Sequence, residues 1–129
     1  MSNSDVLLTE YINSFPGAAF VTDAKTAKIS YFNSACLSLT PHLTVGESIK
    51  SLTEKEQNPL LRANLMFCAL VEENVIEFNR TTLSTELFDK TKYLSLRFDV
   101  NFNDKPHVLT LILPSENQSV DINLISHLD

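Results

Sequence analysis

Between Ser4 and Phe15, apolar Leu7, Leu8, Tyr11, Ile12 and Phe15 recur every three or four residues, with Asp5, Thr9, Glu10 and Asn13 between them. That period predicts an amphipathic helix. Ser4 is a suitable N-cap, Asp5 favours the positive helix start, and Phe15-Pro16-Gly17 punctuates the end. Residues 18–23 and 28–32 are rich in small, branched and aromatic side chains around a polar turn, and predict a first hairpin. From Asn33 a short helix carries Ala35, Cys36, Leu37 and Leu39 until Pro41 and Gly46 interrupt it. A longer helix starts near Pro59, whose missing N–H suits a first turn, and is predicted to end about Glu73-Asn74. Three strand-like runs follow, over 75–81, 92–102 and 107–113, while the loop from 83 to 91 fits either a long hairpin or an excursion.

The run over 92–102 alternates most clearly, with Leu94, Leu96, Phe98, Val100 and Phe102 on one face and Tyr93, Ser95, Arg97, Asp99 and Asn101 on the other. Asn103-Asp104-Lys105-Pro106 supplies turn residues, so the last two strands are expected to be antiparallel neighbours. The final strand is apolar on both faces, with Val108 and Ile112 on one and Leu109, Leu111 and Leu113 on the other. Both of its faces must then be covered, and the N-terminal helix, from this chain or a second copy, is the natural cover for the outer one.

Composition narrows the function classes. A chain of 129 residues with 43% hydrophobic residues suits one domain. Sixteen acidic against ten basic residues, a net charge of -6, argue against nucleic-acid binding. No apolar run approaches the roughly 20 residues of a membrane span, and MSNSD lacks the features of a secretory leader, so a cytoplasmic setting is expected. Cys36 and Cys68 sit in apolar contexts and are expected to be reduced.

The opening Phe15-Pro16-Gly17-Ala18-Ala19-Phe20-Val21-Thr22-Asp23, followed by Ile29-Ser30-Tyr31-Phe32-Asn33-Ser34-Ala35, resembles the PAS family, as does Val45-Gly46-Glu47-Ser48-Ile49 with Leu52. The resemblance covers roughly residues 11 to 114 and implies an α+β fold: a five-stranded antiparallel sheet flanked by short helices, with the N-terminal amphipathic helix added. The expected organisation is a helix over 1–15 acting as cap or dimer contact, a PAS-like domain over 16–114, and a tail or connector over 115–129. Ala27 departs from the family, which usually has glycine in the first hairpin turn because alanine tolerates positive φ poorly.

In the PAS register, Ala18, Phe20 and Thr22, Ile76 and Phe78, and Leu94, Leu96 and Phe98 are expected to face inward, opposite Leu65, Phe67, Leu70 and Val71 on the long helix. The expected ligand lining is Phe20, Thr22, Ile29, Leu65, Phe67, Leu70, Ile76, Phe78, Leu96 and Phe98, set against the plainer reading that these side chains fill the core. The expected interface is Leu7, Leu8, Tyr11, Ile12, Phe15, Leu109 and Leu111. No cofactor is predicted. Haem-binding PAS domains commonly place a histidine on the long helix, where this chain has Asn64, Met66 and Cys68; His42, His107 and His127 read as solvated or structural. The asparagine-cysteine-arginine-phenylalanine motif of light-oxygen-voltage sensors is absent, which argues against covalent flavin photochemistry and leaves a noncovalent small ligand open.

No Gly-rich phosphate loop, metal-spaced His/Cys cluster or glycine-flanked nucleophilic serine is present, so no catalytic or metal residue is expected. Glu72-Glu73 and Glu54-Lys55-Glu56 read as solvated helix ends or loops. The resemblance implies a non-catalytic sensory module in signal transduction that binds a small molecule or partner and relays its state to an effector, such as a histidine kinase or a cyclic-dinucleotide enzyme. The alternative is a homodimerisation or docking module with a filled core. Val120, Leu124, Ile125 and Leu128 have the spacing of a connector helix, which suits a fragment of a longer signalling protein as well as a single-domain one.

Overall fold

The computed structural model describes residues 2–88 and 91–114. The elements run α1 (Asn3–Ser14), β1 (Ala18–Asp23), β2 (Ile29–Phe32), α2 (Cys36–Leu39), α3 (Ile49–Lys55), α4 (Pro59–Phe78), β3 (Thr82–Phe88), β4 (Thr91–Phe102) and β5 (Lys105–Pro114). The strands form one antiparallel sheet in the order β2-β1-β5-β4-β3. Helix, two strands, helices, three strands is the order the sequence predicts. No described helix is long and apolar enough to cross a membrane.

Three boundaries differ from expectation, each for a local reason. Helix α1 is capped by Ser2, not Ser4: the Ser2 hydroxyl accepts from the Asp5 N–H and the Asp5 carboxylate accepts from the Ser2 N–H, a capping box. Helix α4 runs to Phe78, past the predicted end at Glu73-Asn74, and stops where Asn79 takes the left-handed conformation. The expected strand over 75–81 is therefore mostly the last turn of α4. Val75 and Ile76 have a strand-like composition, but Val75 is fully buried as part of the helix, so tertiary packing outweighs local preference. The third strand is β3, which, apart from Thr82, lies within the stretch 83–91 predicted as a loop.

Two turns are held by specific residues. The β4–β5 hairpin closes on Asn103 and Asp104 alone, with φ of 54° and 59°, the type I′ geometry that fits the twist of adjacent strands. Ala27, at φ 61°, takes the left-handed conformation for which the PAS family usually has glycine. The turn is fastened by Asp23, whose Oδ1 accepts from the Lys25 and Thr26 N–H groups at 2.8 and 2.9 Å.

Packing occurs on both faces of the sheet. On the outer face, Ile12 of α1, with Leu8 and Phe15, covers Ala19, Val21, Leu109, Leu111 and Phe102. The chain's own α1 is thus the cover that the doubly apolar last strand requires. Leu8, Ile12, Phe15, Leu109 and Leu111 are engaged within this cluster, which leaves Leu7 and Tyr11 as the exposed members of the expected interface. On the inner face, Ala18, Phe20 and Ile112 meet Ile29, Cys36, Leu52, Leu65 and Cys68. Asn33 joins the two layers: its Nδ2 donates to the carbonyls of Ile12 and Gly17 at 2.8 and 2.9 Å, and its Oδ1 accepts from the Ala19 N–H at 3.2 Å.

Candidate functional site

The parity of β4 is the reverse of the expected one. Leu96, Phe98 and Val100 pack with the outer cluster beneath α1, while Ser95 and Arg97 point inward and are fully buried. The reason lies in the neighbours: α1 offers the outer face an apolar stripe, and β3 offers the inner face Glu86, a partner for Arg97. On α4, Phe67, Leu70, Ile76 and Phe78 are exposed, and the inward positions are instead Asn64, Leu65, Cys68, Val71, Glu72 and Val75.

Of the expected ligand lining, Phe20, Ile29 and Leu65 surround a central cavity together with Cys36, Cys68 and Phe88. Its volume is about 30 Å³. That admits water, since a water needs roughly 10–15 Å³, but falls far below the roughly 300 Å³ of small-molecule pockets. Thr22 is buried on the inner face, where it contacts Glu72, while Phe67, Leu70, Ile76, Phe78, Leu96 and Phe98 lie away from the cavity.

Beside this cavity, where α4 crosses β3 and β4, lies a buried charge network. Arg97 donates from Nη1 to Glu86 Oε2 at 2.7 Å and from Nη2 to Glu86 Oε1 at 3.2 Å, a bidentate pair with both side chains shielded from solvent. The Ser84 hydroxyl donates to Glu86 Oε2 at 3.1 Å, and the Cys68 thiol donates to Glu86 Oε1 at 2.6 Å. Across the sheet, the Thr22 hydroxyl donates to Glu72 Oε2 at 2.8 Å. Glu72, expected as part of a solvated helix end, is buried on the inward side of α4.

Each ionisation state follows from these neighbours. Burial opposes the charge on Glu86, but the Arg97 guanidinium outweighs it and holds the carboxyl below its ordinary range. Burial likewise works against Arg97, yet Glu86 keeps its pKa above the usual value. Glu72 has no such cation in contact, so burial pushes its pKa up to about 7, with the Thr22 hydrogen bond opposing the rise. Burial raises both thiols, Cys36 to about 11 and Cys68 well above its ordinary value, where the charge of Glu86 adds to the effect. Neither is activated as a nucleophile. Arg97 Nε makes no hydrogen bond among the described residues.

His107 is buried. Its Nδ1 lies 3.0 Å from the Lys105 carbonyl and its Nε2 lies 2.8 Å from the Ser30 hydroxyl, so Nδ1 carries the proton and Nε2 accepts from Ser30. His42 is exposed and His127 lies outside the described residues. Among the described residues, no three His, Cys, Asp or Glu side chains are grouped to hold a metal.

The network was missed from sequence because the polar row of β4 suggests a solvated face. A signal is present in retrospect: Thr82, Ser84 and Glu86 form a second polar row on the strand paired with β4, opposite Arg97, Ser95 and Tyr93. Two polar rows of complementary charge on adjacent strands fit a shared interior as well as a shared surface.

No family model and no curated protein matches the sequence. Solved structures do match in three dimensions. The PAS domain of Bordetella pertussis BvgS superimposes with a TM-score of 0.64 at 8% identity, covering 98% of this chain and 97% of that one. The PAS domain of an HTR-like protein from Haloarcula marismortui gives 0.58 at 14% identity, covering 86% and 91%. A PAS domain from a two-component sensor histidine kinase gives 0.50 at 12% identity, covering 84% and 94%. The chain has the PAS fold, as its opening residues imply; identities this low speak to the fold alone.

Proposed function

We propose that the chain is a non-catalytic sensory module of signal transduction, working in the cytoplasm. It takes its input at the interface between α4 and the sheet and relays its state to an effector of the histidine-kinase or cyclic-dinucleotide class. The observation that carries this reading is the buried Arg97–Glu86 pair together with the separately buried Glu72 carboxyl, which is bonded to Thr22. Buried ion pairs add little net stability compared with apolar side chains of the same volume, and displaced ionisation constants cluster at functional sites. Here they lie between the longest helix and the sheet, where a change in charge alters how the two pack. The sensor histidine kinase whose PAS domain shares this fold supports the class of effector.

With a central cavity of about 30 Å³, a ligand larger than water enters the core only if a wall of the cavity moves. Native mass spectrometry of freshly purified protein, with an absorption spectrum, tests the reading. A co-purifying small molecule, or a dimer whose population changes with pH, is expected. A clean monomer unchanged between pH 5 and pH 8 would overturn it.

The second reading, a homodimerisation module with a filled core, is favoured by one feature of α4. Leu60, Phe67, Leu70 and Phe78 fall on a single outward stripe, and the last three are 42%, 59% and 62% exposed. Replacing Phe67 and Leu70 with glutamate is expected to convert a dimer to monomer in sedimentation velocity; a wild-type monomer excludes this reading.

A further inference from the structure

A second opening in the molecule lies apart from the central cavity, sharing only Ile49 with it. It is a crevice of about 220 Å³ between the β1–β2 turn, the start of α3 and the middle of α4. Ala27, Ile49, Ala69 and Ile76 give it aliphatic walls, and Glu72 lines it from the interior side.

The charges around Glu72 are already committed. From β3 and β4, Glu86 and Arg97 hold each other in their bidentate pair. At the rim, Lys50 and Glu73 pair at 3.2 Å with both side chains largely exposed. From β1, Thr22 occupies Glu72 Oε2, and Oε1 accepts no hydrogen bond among the described residues. Glu72 is therefore a buried carboxyl with an open acceptor, no contacting cation and an aliphatic slot beside it.

We propose that this crevice binds a small aliphatic amine, whose ammonium group donates to Glu72 Oε1 while its carbon chain lies along Ala27, Ala69 and Ile76. The chemistry is selective. A ligand carboxylate meets like charge from Glu72 and from Glu73, which holds Lys50 at the rim, whereas an ammonium supplies the countercharge that burial denies Glu72. At about 220 Å³ the crevice is smaller than the roughly 300–1,000 Å³ of drug-sized sites, which favours a chain of a few carbons. The acidic balance of the chain, -6, favours approach of a cation. Binding of an amine there requires only the crevice, whether or not the chain signals.

The test is an NMR titration of the isotopically labelled full chain with n-butylammonium chloride at constant ionic strength, with 1-butanol as the neutral isostere. At pH 8 the amine is expected to give saturable amide shifts at Ala27, Ala69 and Ile76, and 1-butanol none. Affinity is expected to fall about tenfold between pH 8 and pH 6, because the ionised fraction of Glu72 falls by that factor across a pKa of about 7. Glu72→Gln is expected to weaken binding at least tenfold. The carboxyl carbon shift of wild-type Glu72 provides a readout that needs no variant: saturating amine should lower its titration midpoint by a unit or more. Equal shifts with 1-butanol, undiminished binding in Glu72→Gln, or a midpoint that stays in place would each overturn the proposal.

Discussion

Beneath α1 the sheet is closed by apolar contacts, with Ile12, Ala19, Val21 and Leu109 excluding water and hydrogen bonds such as Asp5 to the Asn103 N–H confined to the edges. Beneath α4 the inner face is closed in two ways. Around β1, β2 and β5 it is mainly apolar, interrupted by the Thr22–Glu72 hydrogen bond, but under β3 and β4 it is filled by Arg97, Glu86 and their hydroxyl and thiol partners. Dispersion and burial hold the first region and respond little to pH or salt. Charge complementarity holds the second, which therefore depends on every partner being present. The layer that resists perturbation is the one the N-terminal helix supplies; the layer able to respond is the one the longest helix supplies.

The largest effect that separates the two regions is expected from Arg97→Ala. It strands Glu86 in the interior and should cost about 4 kcal/mol in urea unfolding, within the range for breaking a buried pair. Replacing both partners together, Arg97→Met with Glu86→Leu, should recover most of that loss; a double variant as unstable as the single one would show that the pair is not the unit.

Next in size is the pH response of Glu72. Its folded pKa of about 7 stands above the ordinary 4.5, so between these values the folded state binds more protons than the unfolded state, and stability falls as pH rises. The expected loss is about 3 kcal/mol across that window, at roughly 1.4 kcal/mol per unit. Glu86 acts in the opposite sense: its lowered pKa contributes stability above 4.5 that is lost as pH falls through its folded value. Glu72→Gln should flatten the window above pH 4.5 and leave the acid limb intact. Unfolding curves from pH 3 to pH 8 check both.

Ile12→Ala tests the dry face. A cost of about 2 to 3 kcal/mol is expected, in the lower half of the range for such truncations because a terminal helix can settle into the gap, with no change in pH dependence. The smallest effect is expected from Thr22→Val, about 1 kcal/mol together with a further rise in the Glu72 pKa seen by carboxyl NMR, since the hydroxyl that favours its ionised form is lost.

The element order and the hairpin ending at Asn103-Asp104 were legible because turn chemistry and period two are local properties. The apolar side of β4 was legible too, but not the layer it belongs to, because alternation fixes the relation between two faces and not which one meets which helix. The end of α4 was hidden by Val75, Ile76 and Phe78, whose composition suits a strand while their packing belongs to a helix. Of the expected lining, the inward placement of Phe20, Ile29 and Leu65 around the cavity and of Thr22 beside Glu72 was legible, because β1, β2 and the first turns of α4 fix these positions. Glu72 escaped because an acidic residue beside Glu73 looks solvated until the helix extends past it and turns one of the two inward.

Asn33 gives the contrast between the faces a limit. One amide side chain holds the carbonyls at the end of α1 and at Gly17 while accepting from β1, and its own main chain leads directly into α2. Detaching the outer layer removes partners from an amide buried at the margin of the inner one. Loss of these bonds is expected to couple the two layers, so that Asn33→Ala should speed amide exchange at the slowest-exchanging positions under both α1 and α4.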